Sequence, residues 1–128
     1  MNLGTFSLSL AVKDLARSRD FYGTLGFKPI AGSMDAHYLI LQNDDTPGQK
    51  HLLGLFEGMF DSNILTFNPG WDADGSAVDP FTDVRQIQDQ LKAEGVDVGS
   101  GIEPGSSGPA SFTVTDPDGN VILFDQHR

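Results

Sequence analysis

The chain carries the same spacing pattern twice, and this internal similarity limits the fold more than any other feature. In the first half, Asp14 is followed by an apolar helical stretch and by Gly26, twelve residues after the aspartate. In the second half, Asp83 is followed by a similar stretch and by Gly95, again twelve residues later. A predicted strand precedes each helix, so a strand–helix–strands unit is expected twice in the chain.

Alternating apolar residues and turn signals place the remaining elements. We expect strands at about 6–12, 27–31, 37–42, 52–57, 64–67, 96–98, 110–115 and 121–125. One helix is expected to begin after Asp14, an N-cap residue type. The other is expected to open at Asp79-Pro80, with proline in its first turn. The predicted class is α+β, with two tandem βαβββ modules, about 1–58 and 63–128, in a single domain.

Composition excludes several classes of function. The formal net charge is −10, so nucleic acid, which needs a basic face, is not an expected partner. The absence of cysteine excludes disulfides, thiolate metal sites and cysteine-based catalysis. No stretch has the length of a membrane span and residues 1–4 do not open a signal peptide, so we expect a soluble cytoplasmic protein. The acidity indicates either solubility alone or attraction for a cationic small ligand.

The end of the chain contains a tight turn whose residues have defined roles. It is Asp116-Pro117-Asp118-Gly119-Asn120, between two apolar runs. Proline presets the first corner, the aspartates bond back to the backbone, and glycine takes the left-handed position. Together with the stretch from Val12 to Phe27, this ending resembles the glyoxalase / bleomycin-resistance / extradiol-dioxygenase superfamily, also called vicinal oxygen chelate proteins. The resemblance covers nearly the whole chain.

The resemblance implies an open, cup-shaped mixed sheet with the helices outside and the ligand in the cup. Enzymes of the superfamily hold a divalent cation there with three or four His, Glu or Gln side chains, each from a different strand. The matching positions in this sequence are Ser7, Gly54, Ile64 (or Asn63, one register earlier) and Leu123. A cation at these positions would lose its water shell and gain little. We therefore expect no metal, no other cofactor and none of the usual metal-dependent chemistry.

Without a metal, the cup is expected to present hydroxyl groups, hydrocarbon and one carboxylate, the usual composition of a small-molecule site. The candidate ligand-binding residues are Ser7, Ser9, Phe56, Thr66, Trp71, Leu123 and Asp125. An alternative is that these side chains close up as a second small core. Trp71, with acidic neighbours, suits a planar or cationic ligand or else plugs the edge of the domain.

The expected function is therefore that of a metal-independent small-molecule-binding protein, similar to the bleomycin-resistance branch, which sequesters a cationic drug. A homodimer is expected, with Met59 and Phe60 in the contact or, alternatively, buried within the monomer. A second hypothesis is a metal-dependent glyoxalase- or dioxygenase-type enzyme with displaced ligands such as His37, Glu57 or Asp125. A third is a scaffold whose interior is filled.

Overall fold

The protein is described by a computed structural model that covers residues 1–128. Its elements in chain order are β1 (Thr5–Val12), α1 (Leu15–Gly23), β2 (Lys28–Ser33), β3 (Tyr38–Asn43), β4 (His51–Glu57), β5 (Ile64–Asn68), α2 (Val84–Ala93), β6 (Ala110–Thr115) and β7 (Val121–Gln126). The chain forms two compact units. We call Ser7–Ile64 the N-terminal unit, and Met1–Phe6 with Leu65–Arg128 the C-terminal unit.

The N-terminal unit has the predicted βαβββ order. Its strands lie in the order β2-β3-β4-β1, with β1 parallel to β4 and β3 antiparallel to both of its neighbours. Leu15 of α1 packs with Leu39, Leu41 and Leu55, all buried, on one face of these strands. The helix begins where the sequence predicts, because the Asp14 carboxylate accepts a hydrogen bond from the Arg17 N–H at 3.1 Å.

The C-terminal unit repeats this plan with one strand fewer. Its strands lie in the order β5-β7-β6, with β5 parallel to β7 and β6 antiparallel to β7. Helix α2 covers one face, and the core there consists of Val84, Ile87, Val98, Phe112, Val114 and Phe124. The predicted turn between β6 and β7 is confirmed, since Asp116 Oδ1 accepts the N–H groups of Asp118 and Asn120. The α+β class, with parallel and antiparallel pairs and two helices, is confirmed as well.

Two predicted details of the C-terminal unit are wrong. Helix α2 begins at Val84 and not at Asp79-Pro80, because Asp83 and Gln86 form a capping box that fixes the first turn. The strand expected at 96–98 does not form. Val98 is instead buried directly in the core below α2, so its apolar side chain is accommodated without strand pairing. The module boundaries at 1–58 and 63–128 stay a prediction.

Four phenylalanine rings form a continuous row in the C-terminal unit. Phe6 contacts Phe67 at a ring-centroid distance of 5.2 Å, and Phe67 stacks on Phe124 at 5.8 Å. Phe124 then stacks on Phe112 at 4.9 Å. Each ring comes from a different strand, so the row connects four separate parts of the sequence across one face.

Both helices are short, with nine residues in α1 and ten in α2. Neither has the length and apolar character that crossing a membrane requires.

Candidate functional site

In the C-terminal unit, the predicted ligand residues on the strands lie on the face that is turned away from α2. Along β7, Phe124 and Gln126 are buried on the helix side, so Leu123 and Asp125 point to the opposite face. Thr66 is directly opposite Leu123 in the β5–β7 register. This face presents a hydroxyl, a hydrocarbon and a carboxylate side by side, which are the group types expected from the sequence.

In the N-terminal unit, Ser7 and Ser9 are buried on β1, at 6% and 5% exposure. Ser9 lies opposite Gly54 in the β1–β4 register. Phe56 stacks on Tyr38 at a ring-centroid distance of 5.6 Å with an interplanar angle of 7°. Phe56 also contacts the ring of Phe60 at 5.3 Å. The structure therefore places Phe56 in an aromatic cluster of three rings.

The positions that would hold a divalent cation do not carry side chains that fit one. Gly54 has no side chain, and the Cβ of any other residue there would meet the Phe56 ring. Leu123 and Ile64 are apolar, and the Asn63 side-chain oxygen accepts the Ala11 N–H at 3.1 Å. Nowhere in the chain do three or more His, Asp or Glu side chains come together in a way that could hold a metal ion.

The alternative metal ligands expected from the sequence lie in two separate pairs. His37 Nδ1 lies 3.1 Å from Glu57 Oε1 in the N-terminal unit. His127 Nε2 lies 3.2 Å from Asp125 Oδ2 in the C-terminal unit. Each pair is an imidazole with one carboxylate, and neither gains a third ligand. Tight binding of a transition metal generally needs at least three protein ligands.

The His37–Glu57 pair is held from two sides. The Leu15 N–H, at the start of α1, donates to Glu57 Oε2 at 2.8 Å. This bond, followed by the bond to His37, lowers the pKa of the Glu57 carboxyl below its ordinary value. His37 has a positive φ of 62°, a conformation that is costly for a residue with a side chain. Its carbonyl accepts the Glu57 N–H at 2.9 Å, which helps to hold this backbone geometry.

Trp71 lines a groove that is formed within the C-terminal unit. The groove has a volume of about 280 Å³, and its lining residues are Asn2, Gly4, Thr5, Gly70, Trp71, Asp72, Val78, Pro80 and Phe81. A short bridge pairs Trp71 with Ala77, so the segment between them closes into a small loop. The Trp71 carbonyl accepts the Thr5 N–H at 3.1 Å, and this bond fixes the loop to the start of β1.

Two contacts of the groove were not predicted from the sequence. The His127 ring stacks on Trp71 with centroids 4.5 Å apart and an interplanar angle of 9°. The Arg128 guanidinium lies 4.3 Å from the centroid of the Phe81 ring and donates to Asp79 Oδ1 at 3.0 Å. These partners are separated by more than 45 residues in the sequence, and no local pattern identifies them.

A buried amide connects this region to the start of α2. Gln126 Oε1 accepts the Val84 N–H at 2.7 Å, and Gln126 Nε2 donates to Asp83 Oδ2 and to the Arg128 carbonyl. Burial alone would raise the pKa of Asp83, but the Arg85 N–H, Gln126 and the Arg85 guanidinium together lower it. Gln126 is only 2% exposed, so it is a structural residue on the helix side of β7.

Comparison with known proteins gives one match by family. The model of the Glyoxalase/Bleomycin resistance protein/Dioxygenase superfamily matches residues 4–124 of the chain. No curated protein sequence matches the chain significantly.

Solved structures share the fold at low sequence identity. An NAD-dependent benzaldehyde dehydrogenase structure from Legionella pneumophila superposes with a TM-score of 0.64 and 18% identity, covering 97% of this chain and 100% of that one. A superfamily member from Vibrio splendidus 12B01 gives 0.59 and 17%, covering 95% and 97%. The Streptomyces coelicolor methylmalonyl-CoA epimerase in complex with 2-nitronate-propionyl-CoA gives 0.58 and 19%, covering 94% of each chain. At these identities, the similarity establishes the fold alone.

Proposed function

Because the chain belongs to the Glyoxalase/Bleomycin resistance protein/Dioxygenase superfamily, we propose that it is a member that binds a small organic molecule without a metal ion. The observation that carries this proposal is the set of side chains at the metal-ligand positions of the superfamily. The positions that match the metal ligands of the superfamily's enzymes carry Ser7, Gly54, Ile64 and Leu123. Together these residues offer one side-chain hydroxyl group. A divalent cation prefers imidazole or carboxylate ligands in such a site, so binding of an organic ligand is favoured over metal-dependent catalysis.

The strand face of the C-terminal unit supports this proposal. Thr66, Leu123 and Asp125 share the face that α2 does not cover, and they combine a hydrogen-bonding hydroxyl, an apolar surface and a carboxylate. Few and well-placed polar groups on a mainly apolar surface are typical of ligand sites. Asp125 is paired with His127, which fixes the direction of its carboxylate.

The homodimer and the cytoplasmic location expected from the sequence are part of the same proposal. Met59 remains 51% exposed, whereas Phe60 packs on Phe56. An exposed methionine next to a packed aromatic residue suits a contact between two copies of the chain.

Native mass spectrometry of protein purified without chelators tests the proposal. The expected spectrum shows no stoichiometric metal, and it shows a dimer that carries an organic mass. In parallel, the melting temperature is measured with nickel, zinc, manganese and ferrous ions, and we expect no increase, because a ligand raises stability only if it binds the folded state. Tight stoichiometric metal, or an increase of several degrees, would overturn the proposal.

Two variants identify the ligands if a metal does bind. His37→Gln removes the imidazole of the N-terminal pair, and Asp125→Asn removes the carboxylate of the C-terminal pair. Loss of the metal-dependent increase in one of these variants would support the enzyme with displaced ligands. The protein treated with a chelator is the reference in each measurement.

A further inference from the structure

We propose that the groove between Trp71 and Phe81 binds a compact aromatic cation, with the Asp72 carboxylate as its counter-ion. The inference rests on the proposed function, because it names the chemical class of a ligand that such a binding protein would take. All residues of the groove belong to the C-terminal unit. None of them is at a position that matches a metal ligand of the superfamily.

The dimensions and walls of the groove suit a ligand with a single ring. Its volume of about 280 Å³ is just below the range of drug-sized ligand sites, roughly 300–1,000 Å³. Trp71, Val78, Pro80 and Phe81 provide apolar and aromatic surface. Aromatic walls favour a flat ligand, and they favour a positive charge over the face of a ring.

The charge of the groove lining favours a positively charged ligand. Asp72 is the one charged residue in the lining, and its Oδ1 accepts the backbone N–H groups of Asp74 at 2.9 Å and Ser76 at 3.0 Å. These two bonds fix the direction of the carboxylate and leave Oδ2 outside them. A carboxylate fixed in this way on a residue of the groove lining attracts a cation and repels an anion.

Both aromatic walls are held in place by residues that do not line the groove. The His127 ring stacks on Trp71, and the Arg128 guanidinium covers Phe81. The charge of Arg128 is compensated by Asp79 and by the carbonyl oxygens of Gly70 and Val78. The walls are therefore arranged before a ligand arrives, which lowers the entropic cost of binding.

The fluorescence of Trp71 provides a direct test, because the chain contains one tryptophan. The protein is titrated with benzamidinium, and with benzamide and benzoate as neutral and anionic probes of similar shape. We expect a saturable change with benzamidinium, binding of benzamide that is about tenfold weaker, and no saturable change with benzoate.

Matched variants assign the charge effect to Asp72. Asp72→Asn keeps the Oδ1 acceptor of the turn, and it is expected to weaken benzamidinium binding about tenfold. Asp74→Asn removes the same charge two residues away, from a residue that does not line the groove, and should change affinity by less than about threefold. Trp71→Leu, followed by calorimetry with circular dichroism as a check of folding, should abolish the binding.

The outcomes separate this inference from the proposed function. Equal binding of benzamidinium and benzamide, or an unchanged affinity in Asp72→Asn, would overturn the inference. It is overturned as well if a co-purified organic ligand binds Trp71→Leu as tightly as the original protein, although the proposed function then stands. Conversely, stoichiometric metal together with tight benzamidinium binding would remove the proposed function and leave the inference intact.

Discussion

The two units solve the same problem at the start of their helices with different side chains. In each unit, the first N–H group of the helix has no partner within the helix, and a residue at the end of the last strand accepts its hydrogen bond. Glu57 of β4 accepts from Leu15 at 2.8 Å, and Gln126 of β7 accepts from Val84 at 2.7 Å. The two units thus share a bond as well as an order of elements.

The difference between the two acceptors follows their burial. The Glu57 side chain is 33% exposed and lies beside His37, so a charged carboxylate remains solvated there. Gln126 is 2% exposed, where an ionised group would be costly. An amide also supplies the donors that the Asp83 carboxylate and the Arg128 carbonyl require. The place at the end of the last strand thus determines that the residue accepts the first N–H group of the helix. The burial of that place determines whether the acceptor is a charged carboxylate or a neutral amide.

The largest expected effect comes from Gln126→Ala. This change leaves the buried N–H of Val84 and the carbonyl of Arg128 without their partner, and it opens a small cavity. We expect a loss of about 2–4 kcal/mol in the free energy of unfolding, measured by urea denaturation. Gln90→Ala, an exposed change on the same helix, is the control and should stay within about 0.5 kcal/mol.

Gln126→Glu tests the comparison directly, because it places a carboxylate, the acceptor type of the N-terminal unit, at the buried position in the C-terminal unit. We expect a large loss at neutral pH that is partly recovered in acid, since protonation neutralises the buried carboxyl and restores one donor. A stability equal to that of the original protein at pH 7 would refute the role assigned to burial.

The two N-cap residues give the next effect. Asp83→Ala removes the cap of α2 and the contact with Gln126, and should cost about 1–2 kcal/mol. Asp14→Ala removes a simpler cap, in which the carboxylate accepts the Arg17 N–H, and should cost less. Thermal unfolding of both variants measures the difference, and the reverse order would contradict the comparison.

A smaller, pH-dependent effect is expected for Glu57→Gln. The folded state lowers the pKa of Glu57 below its ordinary value of 4.5, so its ionised form adds stability above roughly that pH. This contribution is lost as the pH falls through the lowered pKa. The melting temperatures of the variant and the original protein should therefore differ most near neutral pH and converge in acid, and a constant difference would argue against this assignment.

The smallest effect is expected for His37→Gly. Glycine adopts the φ of 62° without strain, but it loses the hydrogen bond with Glu57 and gains freedom in the unfolded chain. These contributions are similar in size and opposite in sign, so we expect a change of about 0.5 kcal/mol or less. A chemical denaturation curve that shifts clearly in either direction would reveal which contribution is larger.

Local signals allowed much of the fold to be predicted. Asp14, the residues of the 116–120 turn, and the glycines at 26 and 95 act through their immediate neighbours, so their positions follow from the sequence. The proline at position 80 predicts a helix that begins too early, whereas Asp83 and Gln86 have the capping-box spacing that marks the start of α2. The apolar residues Val96 and Val98 predict a strand that does not form, because Val98 is buried without a strand partner and Val96 stays exposed.

The candidate site could be predicted only in part, for a physical reason. The residue types of the strand faces follow from alternation, and Thr66, Leu123 and Asp125 share the face away from α2. Their role in ligand binding stays a prediction. The groove depends on contacts such as Trp71 with His127, which join distant parts of the chain. Such contacts arise from tertiary packing, and a single sequence holds no local pattern for them.

The row of Phe6, Phe67, Phe124 and Phe112 has a consequence for how the strands align. A slip of any one strand by a single residue would turn its ring to the other side of the sheet and interrupt the stack at that point. The ring contacts therefore depend on the register of all four strands. A register slip in any one of these strands loses at least one ring contact, so segments that are distant in the sequence jointly stabilise the correct strand pairing.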